Sequence, residues 1–414
     1  MTAMPSSLTI NDRLYAWPKK PLVVICLDGS EPAYTDEARH RGLMPHLDRL
    51  IKKGGEFRAL SVIPSFTNPN NLSIATGRTP DIHGICGNYL IDPDTGRETM
   101  MNDPKWLRAP TIFAEFQKAG ARILMITAKD KLRLLLSKGL VFDGSAIAFS
   151  SEKADKATLN ENGIDNPCAA FGIPLPDVYS AALSEFVFAA GVKLIPQFKP
   201  DITYLSTTDF IQHKYGPTEQ GALDFYAMFD SYIGKLDALG VTLIITADHG
   251  MNDKHFSNGE PDVLYLQDDL DQRFGEGKTK VILPITDPYV VHHGALGSYA
   301  AIYTYGADPK EVATHIAALD GMDAVLSKAE ASARFGLPLD RTGDVVAVSG
   351  GATKTKVIGT SRSKHDLSGL DVPLRSHGGL TEQTVPFFIN TKSAQLPEGL
   401  RNFDAYFVGC SAAE

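Results

Sequence analysis

Four short apolar runs, each closing on charged residues, constrain this chain more than any other feature: PLVVICLDGS from Pro21, ARILMITAKD from Ala121, PDITYLSTTD from Pro200 and VTLIITADHG from Val241. Runs that are apolar at consecutive rather than alternate positions belong to strands buried on both faces, and such strands occupy parallel sheets. Helical patterns lie between them, among them TIFAEFQKAG, VYSAALSEFVFAAG and EQGALDFYAMFDSYIGKLDALG. Strands alternating with amphipathic helices predict an α/β fold, a mostly parallel sheet covered by helices on both faces. Ligands of such sheets bind beyond the carboxyl ends of the strands. Asp28, Asp209 and Asp248 stand at three of those ends, and Lys129 with Asp130 at the fourth.

A chain of 414 residues exceeds the size one core usually serves. Beyond Met251 the alternation gives way to shorter strand patterns (DVLYL, AAIYTY, GDVVAVSG) and two helical ones (DPKEVATHIAALD, KAEASARFG). RSHGGLTEQTVPFFIN, from Arg375 to Asn390, then restores a loop and a strand. The expectation is a catalytic core over residues 21–255 and 376–408, with a smaller α+β cap inserted over 256–375.

The net charge of -9, from 49 acidic against 40 basic residues, and the lack of any run of Lys or Arg argue against a nucleic-acid partner. Cys26, Cys86, Cys168 and Cys410 have no CxxC spacing, so no disulfide is expected. The N-terminal segment lacks the apolar stretch of a signal peptide, and no run of about 18 apolar residues suggests a membrane span. A cytoplasmic location without a membrane partner follows as the expectation, with monomer and homodimer both open.

Six separated residues are candidates for a common site: Asp28, Asp209, His213, Asp248, His249 and His377. Asp209 and His213 are four apart, so a helix starting there sets both side chains on one face, able to grip one ion. Asp248 and His249 follow a buried strand directly. Carboxylates and imidazoles without thiolates suit zinc, with manganese or iron also allowed by ligand type. In PSFTNPNNLSIATG, Pro69 fits a first helical turn, Thr67 or Asn68 the cap and Gly77 the close. Thr67 is thereby expected at a helix N-terminus, where unpaired N–H groups and the helix dipole favour a phosphoryl group.

The ordered set LDGS, the Thr-bearing helix start, HGICGN, TTDFIQHKYGP, ADHGM and SHGG resembles the alkaline phosphatase superfamily over nearly the whole chain. Within it the chain is most similar to the branch that cleaves the carbon–phosphorus bond of phosphonoacetate. That resemblance implies two zinc ions, one held by Asp209, His213 and His377, the other by Asp28, Asp248 and His249, with the Thr67 oxygen approaching the second. It also implies Asn88 as a ligand of a phosphoryl oxygen, and Lys129 and Lys131 as the cations that meet the substrate carboxylate. The implied reaction is hydrolysis to acetate and phosphate through a phosphothreonine on Thr67. The alternative is a nucleotide pyrophosphatase or phosphodiesterase, or a phosphomonoesterase, on the same core. The nucleotide group commonly carries an aromatic residue after the nucleophile and a His after the next Pro-Asn pair, where this chain has Asn68 and Asn71. None of the remaining histidines is expected to bind metal: His83 is read as stabilising its loop, and His292 and His293 as cap residues.

Overall fold

The computed structural model describes residues 5–286, 294–365, 367, 370–392 and 396–412; His292 and His293 lie outside them. All four apolar runs are strands: β1 Leu22–Cys26, β3 Ile123–Thr127, β5 Ile202–Ser206 and β6 Thr242–Thr246. With β2 Gly55–Leu60, β4 Ala146–Ser150 and β7 Thr384–Ile389 they form a seven-stranded sheet in the order β2-β7-β6-β1-β5-β3-β4. From β6 to β4 every pairing is parallel, while β7 runs antiparallel to both β6 and β2.

Consecutive apolar residues are needed because the two faces of the sheet pack into different cores. In β1, Leu22, Val24 and Cys26 join one core and Val23 and Ile25 the other. The first core takes in α1 (Thr67–Thr76) through Leu72, Ile74 and Ala75. The second takes in α2 (Ala181–Phe198) and α4 (Gln220–Ala238), while the short α3 (Phe210–Lys214) leads into α4. By length and composition α2 could cross a bilayer, contrary to the expectation that no stretch is apolar enough. In this fold its apolar side, including Leu183, Phe186, Val187 and Phe188, is buried against the sheet.

The second half of the chain adds a four-stranded antiparallel sheet ordered Thr279–Ile282, Tyr299–Thr304, Val345–Ser349, Met322–Ser327. Two helices pack on it, Pro309–Ala317 and Lys328–Phe335. Near the N-terminus, a hairpin of Ser7–Ile10 with Arg13–Ala16 was not anticipated; its turn has Asn11 and Asp12 at φ 49° and 58°, the left-handed pair that suits tight hairpins.

The ends of β6, β1, β5 and β3 are in register: Thr246 pairs with Cys26, Cys26 with Ser206 and Ser206 with Thr127. The segments that follow them therefore emerge side by side along one edge of the sheet. They carry Asp248, Asp28, Asp209 and Lys129, in that spatial order.

Candidate active site

Asp28, two residues past β1, is almost fully buried, and its N–H donates to Thr207 Oγ1 at 2.9 Å. Gly29 follows at φ +70°, where a side chain's Cβ would lie 2.8 Å from that of Asp209, so the two loops touch only because this position has none. Asp209 precedes α3, and the helical bond from His213 N–H to its carbonyl, 2.9 Å, brings His213 Nε2 to 2.9 Å from Asp209 Oδ2. His377 Nε2 approaches the same oxygen at 3.6 Å. His249 Nε2 lies 3.3 Å from Asp28 Oδ1 and 3.8 Å from Asp248 Oδ2. Donor atoms of Asp209, His213 and His377 fall within 4.8 Å of one another, as do those of Asp28, Asp209 and His249, so Asp209 belongs to both groupings.

The three rings share one device. Each Nδ1 meets a backbone carbonyl at 2.8 Å: His213 that of Arg375, His249 that of Gly250 and His377 that of Ser65. A neutral ring donating through Nδ1 presents Nε2 as a lone pair. Lone pairs then face carboxylate oxygens across the cluster, acceptor against acceptor, and Asp28 Oδ1 has no hydrogen-bond donor. Burial, and after it the Asp248 and Asp209 carboxylates, pushes Asp28 well above the usual carboxylate range, with Lys129 offsetting only part of this. Such a donor set fits divalent metal cations, which supply the charge it lacks.

Thr67 is the first residue of α1, not its cap. The expectation that Thr67 or Asn68 caps the helix is corrected by Phe66, which occupies that position in extended conformation. Phe66 packs its ring edge-on against His377, with centroids 5.5 Å apart, which fixes where the helix starts. The Thr67 hydroxyl points instead to the cluster, 3.3 Å from His249 Nε2.

Asn71, one turn on, was not singled out from the sequence. Its Nδ2 donates to the Thr67 carbonyl and to Asp248 Oδ2, both at 3.0 Å, and its Oδ1 accepts from Tyr204 at 2.7 Å and Ser206 at 3.1 Å. Asp248 Oδ1 accepts from the N–H groups of Gly29 and His249 at 3.2 and 3.0 Å. The signal available was the Asn70-Asn71 pair beside the expected helix start, and both side chains prove fully buried. Arg375 was missed too: its guanidinium binds the Gln212 carbonyl at 2.8 Å, Tyr34 at 3.0 Å and Asp253, while its own carbonyl orients His213.

Asp28, Asp209, His213 and His377 open with Thr67 onto a cavity of about 400 Å³. Asn88, Lys129 and Lys131 line it as well. Asn88 is pinned by Nδ2 to the Ile285 carbonyl at 3.4 Å and by its N–H to that of Pro284 at 2.8 Å. Asp130, between the two lysines, is engaged elsewhere by Arg133, Ser150 and Lys153 at 2.9–3.0 Å. His83 stabilises its loop as expected, accepting the Ile85 N–H at Nδ1 and meeting Ser73 Oγ at 2.9 Å.

Comparison with known proteins bears on this geometry. The family model described as type I phosphodiesterase / nucleotide pyrophosphatase matches residues 22–357. Among curated relatives, human ectonucleotide pyrophosphatase/phosphodiesterase family member 1 is 25% identical over 254 residues, 56% of this chain and 23% of that protein. An uncharacterized pyrophosphatase/phosphodiesterase of Schizosaccharomyces pombe is 35% identical over 91 residues, 22% of this chain and 18% of that one. The chain thus spans about a fifth of the length of these relatives. Murine ectonucleotide pyrophosphatase/phosphodiesterase 5 shares the fold, with TM-score 0.62 and 19% identity over 94% of this chain and 93% of that one. Phosphonoacetate hydrolase from Sinorhizobium meliloti 1021, solved with phosphonoformate and with phosphonoacetate, is 59% identical over 99% of both chains, with TM-score 0.95. The chain therefore belongs to the type I phosphodiesterase / nucleotide pyrophosphatase family of the alkaline phosphatase superfamily, a metal-dependent hydrolase family, and within it to the phosphonoacetate hydrolase branch.

Proposed function

We propose that this protein hydrolyses the carbon–phosphorus bond of phosphonoacetate to acetate and phosphate, with Thr67 as nucleophile. The observation that carries this reading is one cavity that joins the Thr67 hydroxyl and the Asp/His cluster to a pair of lysines two residues apart. The full-length likeness to a phosphonoacetate hydrolase supports it.

Asp209, His213 and His377 would hold one zinc ion, and Asp28, Asp248 and His249 a second. When bound, such ions lower the pKa of a hydroxyl and neutralise phosphoryl oxygens. Thr67, aimed by the start of α1, attacks phosphorus in line while Asn88 Nδ2 meets a phosphoryl oxygen; water then attacks the phosphothreonine from the opposite side. Carbon is a poor leaving group, and its electron pair is tolerable only when delocalised into the adjacent carboxylate as an enolate-like dianion. Lys129 and Lys131 would meet that developing charge. The carbon finally takes a proton to give acetate. Residues 256–375 would serve as the cap over this site, and the protein would act in the cytoplasm, as a monomer or homodimer, without nucleic acid or membrane.

A screen of zinc-loaded protein tests the reading. Phosphate release from phosphonoacetate should exceed that from aminoalkylphosphonates and p-nitrophenyl phosphate. Preference for nucleotide diesters would move the chain to the nucleotide group, a reading already weakened by Asn68 and Asn71.

A further inference from the structure

We propose that Tyr179 is a positioning residue for Lys129 and thereby tunes how tightly the site holds the carboxylate arm of its substrate; this rests on the reading of Lys129 above. Tyr179 lies just before α2 and lines the same cavity as Thr67 and Lys129. Its backbone is fixed locally: its N–H donates to Asp177 Oδ1 at 2.8 Å, and Ser180 Oγ donates to the Asp177 carbonyl at 2.8 Å. Tyr179 is half-exposed.

Two of its contacts among the described residues bear on this. Lys129 Nζ lies 5.6 Å from the centroid of the Tyr179 ring, within cation–π reach. The same ring packs against Phe210, with centroids 6.0 Å apart and planes at 50°. Phe210 directly follows Asp209, so the tyrosine bridges neighbouring stations on the sheet edge, the lysine after β3 and the carboxylate after β5.

The chemistry explains why an aromatic ring suits this position. A lysine on its four-carbon stem loses considerable rotamer freedom when ordered. A ring face restrains the ammonium through its quadrupole without itself neutralising it.

Steady-state kinetics on Tyr179→Phe and Tyr179→Leu, each with and without Lys129→Ala, test this, with competitive inhibition by inorganic phosphate as the probe that lacks a carboxylate. Tyr179→Phe should resemble the parent. Tyr179→Leu should raise KM for phosphonoacetate about 2–5-fold, the span of one cation–π contact, leave kcat less affected and leave the phosphate inhibition constant as it was. That effect should vanish once Lys129 is alanine. The proposal is overturned by an unchanged KM, by an equal weakening of phosphate, or by a full effect in the Lys129→Ala background. If Lys129→Ala itself spares phosphonoacetate, the assignment of Lys129 has failed and this proposal falls with it.

Discussion

The imidazole rings of His249 and His377 lie parallel, 6° apart in plane, with centroids separated by 3.6 Å. Two imidazolium ions would repel at that distance. Burial, and after it the neighbouring His249, holds His377 well below the usual imidazole range, so it enters the site uncharged. A neutral ring whose Nδ1 is committed to Ser65 can serve only as a lone-pair donor at Nε2.

Removal of metal should therefore abolish turnover and loosen the fold. Ligands that bind only the folded state stabilise it by about 3 kcal/mol at a hundredfold excess over Kd. Thermal melts and elemental analysis of chelated and zinc-restored samples check this, and full activity in metal-free protein would refute the site.

Thr67→Ala should lower turnover by about three orders of magnitude or more while metal content stays intact. Thr67→Ser keeps the hydroxyl and should retain a measurable fraction. Acid-quenched parent protein given phosphonoacetate should yield a phosphorylated peptide containing Thr67 by mass spectrometry; near-normal rates in the alanine variant would reduce Thr67 to a structural residue.

Lys129→Ala and Lys131→Ala should each slow phosphonoacetate cleavage about 10–100-fold, the worth of a charge-assisted contact. Because the charge they meet develops on carbon, the loss should appear in kcat as well as KM. Cleavage of p-nitrophenyl phosphate, whose leaving group needs no such help, should fall far less, and equal losses on both substrates would argue against the role.

His83 makes a pH prediction away from the metal ligands. Burial first, and then the positive charge of Arg341, lowers its pKa from 6.5 to about 3. A depressed folded-state pKa means the unfolded chain binds the proton first. The stability His83 contributes is thus complete above pH 6.5 and lost progressively as pH falls toward 3. Denaturant midpoints of His83→Gln should be lower than the parent's at pH 8 and should decline less on acidification. A parallel decline in both proteins would show that His83 does not set this window.

The candidate ligands were legible because each carboxylate follows an apolar run, and because Asp209 and His213 carry helical spacing. What the sequence could not convey was neighbourhood. Only the order β6-β1-β5-β3 reveals that Lys129 is the next station after Asp209, and only folding makes Asp209 common to both groupings. Thr67 was located correctly but its capping role was not, since Phe66 is held by packing against His377 rather than by a capping hydroxyl. Asn71 is bonded to Asp248, Tyr204 and Ser206 and Tyr179 packs on Phe210, all far away in sequence, so the Asn70-Asn71 pair hints at a buried polar role without naming its partners and no local pattern announces Tyr179. The strands β2 and β4 escaped for a simpler reason: GEFRAL alternates polar and apolar residues, and AIAFS has alanine at two positions and little of the β-branched enrichment that marks the other runs.

The position of β7 has a consequence for how the site is completed. It follows the other six strands of the sheet in the chain, yet it fills an interior slot between β2 and β6. His377, just ahead of it, can reach Asp209 only once that slot is filled. Completion of the Asp209, His213 and His377 grouping is therefore tied to closure of the sheet, because the strand that joins β2 to the rest is the one that brings His377 into place.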